Sequence, residues 1–148
     1  MTAQEIKTKD FVGLSQGEID DIYRKSSIGE IPNGDSQGIA IIWAGSALTR
    51  AIATLTKYLI WQGKDFRREQ NFFLNKAGPF GFRAIKGEIY RGESWFCEGE
   101  EAIILDYSKT TLLLRRVREE IREIYPGFYL AQVYWGKKRL SNFTLDFN

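Results

Sequence analysis

Polar side chains on the apolar face of a strand are the first places to look for chemistry, because a buried charge or amide needs a partner. A strand over residues 82–91 sets Arg83, Ile85, Ile89 and Arg91 on one face, so its isoleucines are bracketed by arginines. Over 128–135, Gln132 shares a face with Leu130 and Tyr134, and Tyr107 closes the apolar run Ala102–Tyr107. A guanidinium fork reads a carboxylate or phosphate through two parallel hydrogen bonds. Arg83 or Arg91, with Gln132 and Tyr107, therefore describes a holder for the acidic head of a mostly apolar molecule. A plainer use exists for the same residues: arginines near strand ends snorkel to water and Gln132 faces solvent. Two aromatic-rich segments with glycine at the bend, Trp61–Phe66 and Tyr90–Phe96, bring in Trp61, Tyr90 and Trp95, and Tyr134 lies on a neighbouring strand. Such loops form either a pocket mouth or a plug for the end of a core.

Other chemistries are closed off by what the chain lacks. It has no histidine and a single cysteine, Cys97. Ser-His-Asp and Cys-His nucleophilic sites, histidine acid–base catalysis and nearly every zinc site go with the histidine. No metal or cofactor site is expected. An internal disulfide is impossible, which suits a reducing compartment and a cytoplasmic protein, and Cys97, beside Trp95 and Phe96 with no nearby cation, reads as a structural thiol. An enzyme would have to work with Asp106, Tyr107 or Glu88 and a lysine or arginine in a cleft. Asp106 and Tyr107 point to opposite faces of one strand, and Glu119 and Glu120 read as part of a solvated helix, so no catalytic residue is assigned.

The elements that must position these residues follow from periodicity. Ser15 and Glu18 have capping-box spacing and predict a short helix through Asp20, Ile22 and Tyr23. Gly38–Trp43 is an apolar run of strand length, and Ala47, Leu48, Ala51, Ile52, Leu55, Tyr58 and Leu59 recur at helical spacing to about Ile60. From Asn71 the period changes to two, giving strands over 71–76, 82–91 and 102–107. Leu113, Val117, Ile121 and Ile124 lie on one helical stripe that Pro126-Gly127 stops, so 111–125 reads as helix, with strand as the alternative. Two strands complete the chain, 128–135 and 140–147. The last alternates plainly, with Phe143, Leu145 and Phe147 inward and Asn142, Thr144 and Asp146 outward.

The 148 residues are expected to form a single domain with a loosely ordered start over 1–14. Its class is α+β or mainly β: an antiparallel sheet curled into a calycin-like barrel with two to three packed helices. No apolar run is long enough for a membrane span. The net charge of +2 is uneven, residues 37–92 carrying nine basic and three acidic side chains. Lys137-Lys138-Arg139 beside Trp135, and Arg67-Arg68 near Phe66 and Phe72, meet the pattern of a nucleic-acid surface only loosely, so no nucleic-acid partner is expected.

Trp61-x-Gly63-Lys64-x-Phe66, Asn75 before a turn, Ala84-Ile85-x-x-x-Ile89-Tyr90 and Pro126-Gly127-x-Tyr129-Leu130 together resemble an uncharacterised bacterial family similar to the GXWXG proteins, which group with lipocalin-like barrels. Around Gly38 the chain reads Gly-Ile-Ala-Ile-Ile-Trp in place of that signature. The resemblance covers roughly residues 26–147. It implies a barrel with an internal apolar pocket and no reaction. The functional expectation is non-enzymatic binding of a small hydrophobic or amphipathic molecule, an anionic one included. The alternatives are the histidine-independent enzyme and an interaction module that dimerises through an aromatic edge at Tyr134 and Trp135.

Overall fold

The computed structural model describes residues 11, 13–42, 61–78 and 80–148. They form one α-helix and nine antiparallel strand segments: α1 (Gln16–Lys25), β1 (Gly34–Asp35), β2 (Gln37–Ile42), β3 (Gly63–Arg67), β4 (Phe72–Ala77), β5 (Phe82–Glu93), β6 (Glu101–Asp106), β7 (Val117–Tyr125), β8 (Phe128–Trp135) and β9 (Lys138–Asp146). The sheet order is β1-β3-β4-β5-β6-β7-β8-β9-β2. β1 and β2 are one strand broken at Ser36, so the sheet meets itself. The first part bonds to β3, with Asp35 opposite Asp65, and the second to β9, with Gln37 opposite Asp146. Two further bonds stitch the seam, from Ser36 N to the Lys64 carbonyl and from Gly38 N to that of Gln62. Above Gly38, β2 pairs with β9 alone among the described strands, and the barrel is nearly closed.

Alternation sorts the side chains between two cores. Phe66, Phe73, Ile89, Ile103, Leu105, Tyr107, Ile121, Tyr129, Ala131, Phe143 and Leu145 form one core inside the barrel. Outside, α1 lies across β7 to β9 and buries Ile19 and Tyr23 against Phe128 and Leu130. The helix starts where the sequence places it: Ser15 Oγ accepts from the Glu18 amide and Glu18 Oε2 from that of Ser15. Phe143 and Leu145 face inward as expected, and Phe147 packs on the same core. Asn142 and Thr144 do point outward, but both are buried.

Three expectations need correction or placement. Residues 117–125 are a strand, although Val117, Ile121 and Ile124 mimic a helical stripe. The same segment also alternates, and β6 and β8 both take it up, with Ile121 opposite Ile103 and Ala131. Pairing on two sides outweighs local preference, and Glu119 and Glu120 become buried groups instead of a solvated helix face. The described residues thus hold one α-helix, not two or three. The helix expected over 47–60 lies outside them. Finally, Gly63–Arg67 is a strand and not a loop at the pocket mouth, its two-residue pattern diluted by Lys64, Asp65 and Arg67.

Candidate functional site

Four polar side chains project into the upper half of the otherwise apolar barrel. Lys64 alternates with Phe66 on β3, Asn75 with Phe73 on β4, Glu119 with Ile121 on β7, and Tyr107 follows the end of β6. The Lys64 side chain is 1% exposed. Its ammonium has three protons and three acceptors: Asn75 Oδ1 at 2.7 Å, Tyr107 Oη at 2.7 Å and Glu119 Oε2 at 3.0 Å. Asn75 Nδ2 donates to Tyr107 Oη at 2.9 Å and to the Ile85 carbonyl at 3.1 Å, while Trp61 Nε1 donates to Asn75 Oδ1 at 3.2 Å. The Tyr107 hydroxyl in turn reaches Glu119 Oε2 at 3.4 Å. Rings surround the ammonium as well, with the centroids of Phe73, Phe143, Tyr107 and Trp61 between 4.8 and 5.7 Å away.

The backbone is bent to complete this cluster. Pairing between β4 and β5 slips at Leu74/Asn75, leaving Ile85 as the extra residue of a bulge with φ of 56°. A β-branched residue in the left-handed region is strained, and the bulge turns the Ile85 carbonyl toward Asn75. Gly87 leaves room for the Phe73 ring, since a Cβ there would stand 2.3 Å from it.

Electrostatics follow from burial. Loss of solvent lowers the Lys64 pKa, opposed by the Glu119 carboxylate. Burial, then the same carboxylate, pushes the Tyr107 hydroxyl well above its usual range, so it stays protonated. Every polar hydrogen of Lys64 is thus spent inside the chain. Among the described residues the second carboxylate oxygen of Glu119, Oε1, has no partner, and its side chain keeps 10% of its surface accessible. Acceptor capacity, not donor capacity, is what the cluster offers. Trp61 is its link to the outside. It is half-buried, lies edge-on to Phe143 and borders a cleft of about 460 Å³ with Gly38 and Gln62 at the barrel seam.

Of the eight residues singled out by sequence, Tyr107 and Trp61 meet here and six do not. The bulge at Ile85 reverses the face of everything before it, so Arg83 is outside the barrel, bonded to Asp65 at 2.7 Å and to Asp35 at 3.4 Å. Arg91 is exposed and donates to the Gly29 carbonyl. Gln132 is buried, but on the outer face beneath α1, where its Oε1 accepts from Asn142 and Arg139. Tyr90 is exposed and bonds to Asp106 on the outside, bordering a cleft of about 660 Å³ with Arg91 and Phe72. Trp95 and Tyr134 stack edge to face over a third cleft, of about 370 Å³. Tyr134 is buried in that contact and is not an exposed edge for dimerisation. The expected carboxylate partners Asp106 and Glu88 bond to Tyr90 and Lys109, away from Tyr107.

Sequence reading missed Lys64, Asn75 and Glu119 as site residues. The signal applied to Gln132, a polar side chain flanked two residues away by apolar ones, marks Asn75, and Glu119 once β7 is read as a strand; Lys64 carries half of it, with Phe66 on one side and Gln62 on the other. A separate polar cluster outside the barrel holds α1 in place. There Glu120, fully buried, accepts from Tyr23, Ser94, the Trp95 amide and Arg118, and Arg139 forks onto Asp20. Cys97 Sγ lies 3.2 Å from Arg122. Burial pushes its thiol up despite that guanidinium.

No family model matches the chain, and no curated protein matches it. Among solved structures it is similar to the crystal structure of a protein from Thermomonospora curvata, with a TM-score of 0.63 and 15% sequence identity over 90% of this chain and 87% of that one. That likeness is one of fold: both chains carry the same nearly closed antiparallel barrel architecture.

Proposed function

We propose that the chain binds a small, mainly apolar molecule in the upper half of the barrel, its polar head on the Lys64–Asn75–Tyr107–Glu119 cluster and Trp61 at the point of access. One observation carries this reading. A charged pair, with Lys64 only 1% exposed, is built into an interior that aliphatic side chains could fill. Replacing a buried ion pair by well-packed apolar residues is commonly neutral or stabilising, so stability gives no reason for the pair. The bulge at Ile85 adds strain in its service. The arrangement also suggests the chemistry of the head. Lys64 has no proton left to offer an anion, while Glu119 Oε1 has no partner among the described residues, so the site suits a hydroxyl or an amine better than a carboxylate. The resemblance to lipocalin-like barrels leads to the same class of function.

Convergence of a lysine, a tyrosine and a glutamate also favours the histidine-independent enzyme as a second reading. It is the weaker one. The Tyr107 hydroxyl is held protonated and every Lys64 proton is engaged, so neither is poised as base or nucleophile.

The test compares a ten-carbon alcohol, amine and carboxylate as probes, read by tryptophan fluorescence with Trp61→Phe as the signal control. Saturable binding of the alcohol or amine, weakened about ten-fold or more in Glu119→Gln, is the expected result. Equal binding by Glu119→Gln, or no saturation with any probe, overturns the reading.

A further inference from the structure

Strand direction alternates around the barrel, so the β4–β5, β6–β7 and β8–β9 connections share the end from which β2 leaves and at which β3 begins. Large apolar side chains stand out there. Phe80 and Phe82 are 83% and 67% exposed, with their rings packed on each other, and Leu112 and Leu113 are 82% and 74% exposed. A hydrophobic side chain on a loop tip is ordinary taken singly. Four of them on two connections at one end are not.

The charges of those connections have one sign. Residues 78–81, 107–116 and 136–137, with Lys138 at the start of β9, contain Lys109, Arg115, Arg116, Lys137 and Lys138 and no acid. Lys109 faces Glu88 on β5, Lys137 lies over Trp95, and Arg116 lies over Trp135. At the other end, residues 68–71 and 126–127 hold Glu69 against Arg68, while the 94–100 connection starts there and folds back over Tyr134, so that Glu98 borders the cleft of Lys137. The β6–β7 connection is also tied down, through the Gly136 amide on the Arg116 carbonyl at 2.8 Å and through Thr110 on the Lys86 carbonyl.

We propose that this end of the barrel docks onto the surface of an anionic lipid bilayer, Phe80, Phe82, Leu112 and Leu113 entering the interface while the flanking cations meet the head groups. Apolar side chains surrounded by lysine and arginine are what such a surface recognises: burial supplies one part of the binding and charge the other. A protein partner would be expected to cover the apolar side chains together with charges of both signs, and connections that carry five cations and no acid of their own fit a lipid surface better. The seam beside Trp61 opens at the same end, since Gln62 Nε2 bonds to the Gly78 carbonyl. The docking itself stands whether or not the barrel takes a ligand.

Flotation with vesicles separates the outcomes. Vesicles of phosphatidylcholine containing about a third phosphatidylglycerol should carry the protein, pure phosphatidylcholine much less, and added salt should release it. Leu112→Asp with Leu113→Asp changes only exposed positions. It should lower vesicle binding by about ten-fold or more while leaving the melting curve and probe binding in the barrel intact. Lys138→Glu should lower it by about five-fold, and Glu69→Gln at the other end not at all. No binding to the anionic vesicles overturns the proposal, as does binding undiminished in the leucine double variant. A dimer in light scattering that the same variant dissociates, without vesicle binding, reassigns the surface to a second copy of this chain.

Discussion

At the scale of single residues, the buried lysine decides how the interior behaves. Lys64 and Glu119 neutralise each other where the ammonium has no water and the carboxylate little. Lys64→Met leaves the carboxylate without its cation and Asn75 and Tyr107 without a shared partner, and should cost about 3–5 kcal/mol in urea unfolding. Lys64→Met combined with Glu119→Leu removes both charges and should recover most of that loss. A single variant as stable as the parent would show that the pair is not dry. The outer cluster follows the same rule on different terms: Glu120 accepts four hydrogen bonds, one from Arg118 on β7 itself and three from α1 and the β5–β6 connection, which must meet β7.

At the scale of elements, the β5 bulge does more than bend a strand. It aims a carbonyl at Asn75, reverses the side-chain parity of residues 82–84 and sets Arg83 outside. Ile85 is strained at φ of 56° and 38% exposed, so it gives up little packing if replaced. Ile85→Gly or Ile85→Asn should raise stability by about 1 kcal/mol and keep the Asn75 contact. Destabilisation by either would mean that the side chain matters more than the backbone. This bulge also marks the limit of what could be read from the sequence. Strand β9 shows its alternation openly, β4, β6 and β8 read as strands by length, apolar content and bounding turns, and the antiparallel barrel follows from them. No rule of pattern announces a bulge at a β-branched residue, so Arg83 and Ile89 fell on one face on paper and not in the fold. β3 and β7 were illegible for another reason: their inward positions hold Lys64 and Glu119, the residues that make the site. A polar residue at an inward position erases the alternation by which a strand is recognised. The same substitution that gave the barrel a polar centre hid the strands carrying it.

At the scale of the whole molecule, burial of tyrosine governs behaviour in alkali. Tyr23 and Tyr107 are pushed well above the ordinary 10.0, chiefly by burial and next by Glu120 and Glu119 respectively. Tyr90 and Tyr134 are pushed up to about 12, again by burial first. These groups hold their protons in the folded state after the unfolded chain has lost them. Their stabilisation is complete below pH 10.0 and is lost as pH climbs toward the folded values. Lys64 runs the other way. Its folded value lies below the ordinary 10.5, so its contribution improves with rising pH up to that point. Four tyrosines outweigh one lysine, and the melting temperature should fall from about pH 10 upward. Tyr107→Phe should make the fall shallower. A flat profile across that range would contradict the burial of these hydroxyls.

The broken first strand has a kinetic consequence. Shutting the ring requires Gln37 to find Asp146, so the final seam joins segments more than a hundred residues apart in sequence. Loops of that span close slowly. During synthesis β2 waits above Gly38 with no partner among the described strands until β9 leaves the ribosome, and β3 waits on the other side with only the two residues of β1 against it. Through that interval the nascent chain is a curled ribbon with two sticky edges, open to pairing with a neighbour. The most dangerous moment for this protein is therefore the one just before its last strand arrives.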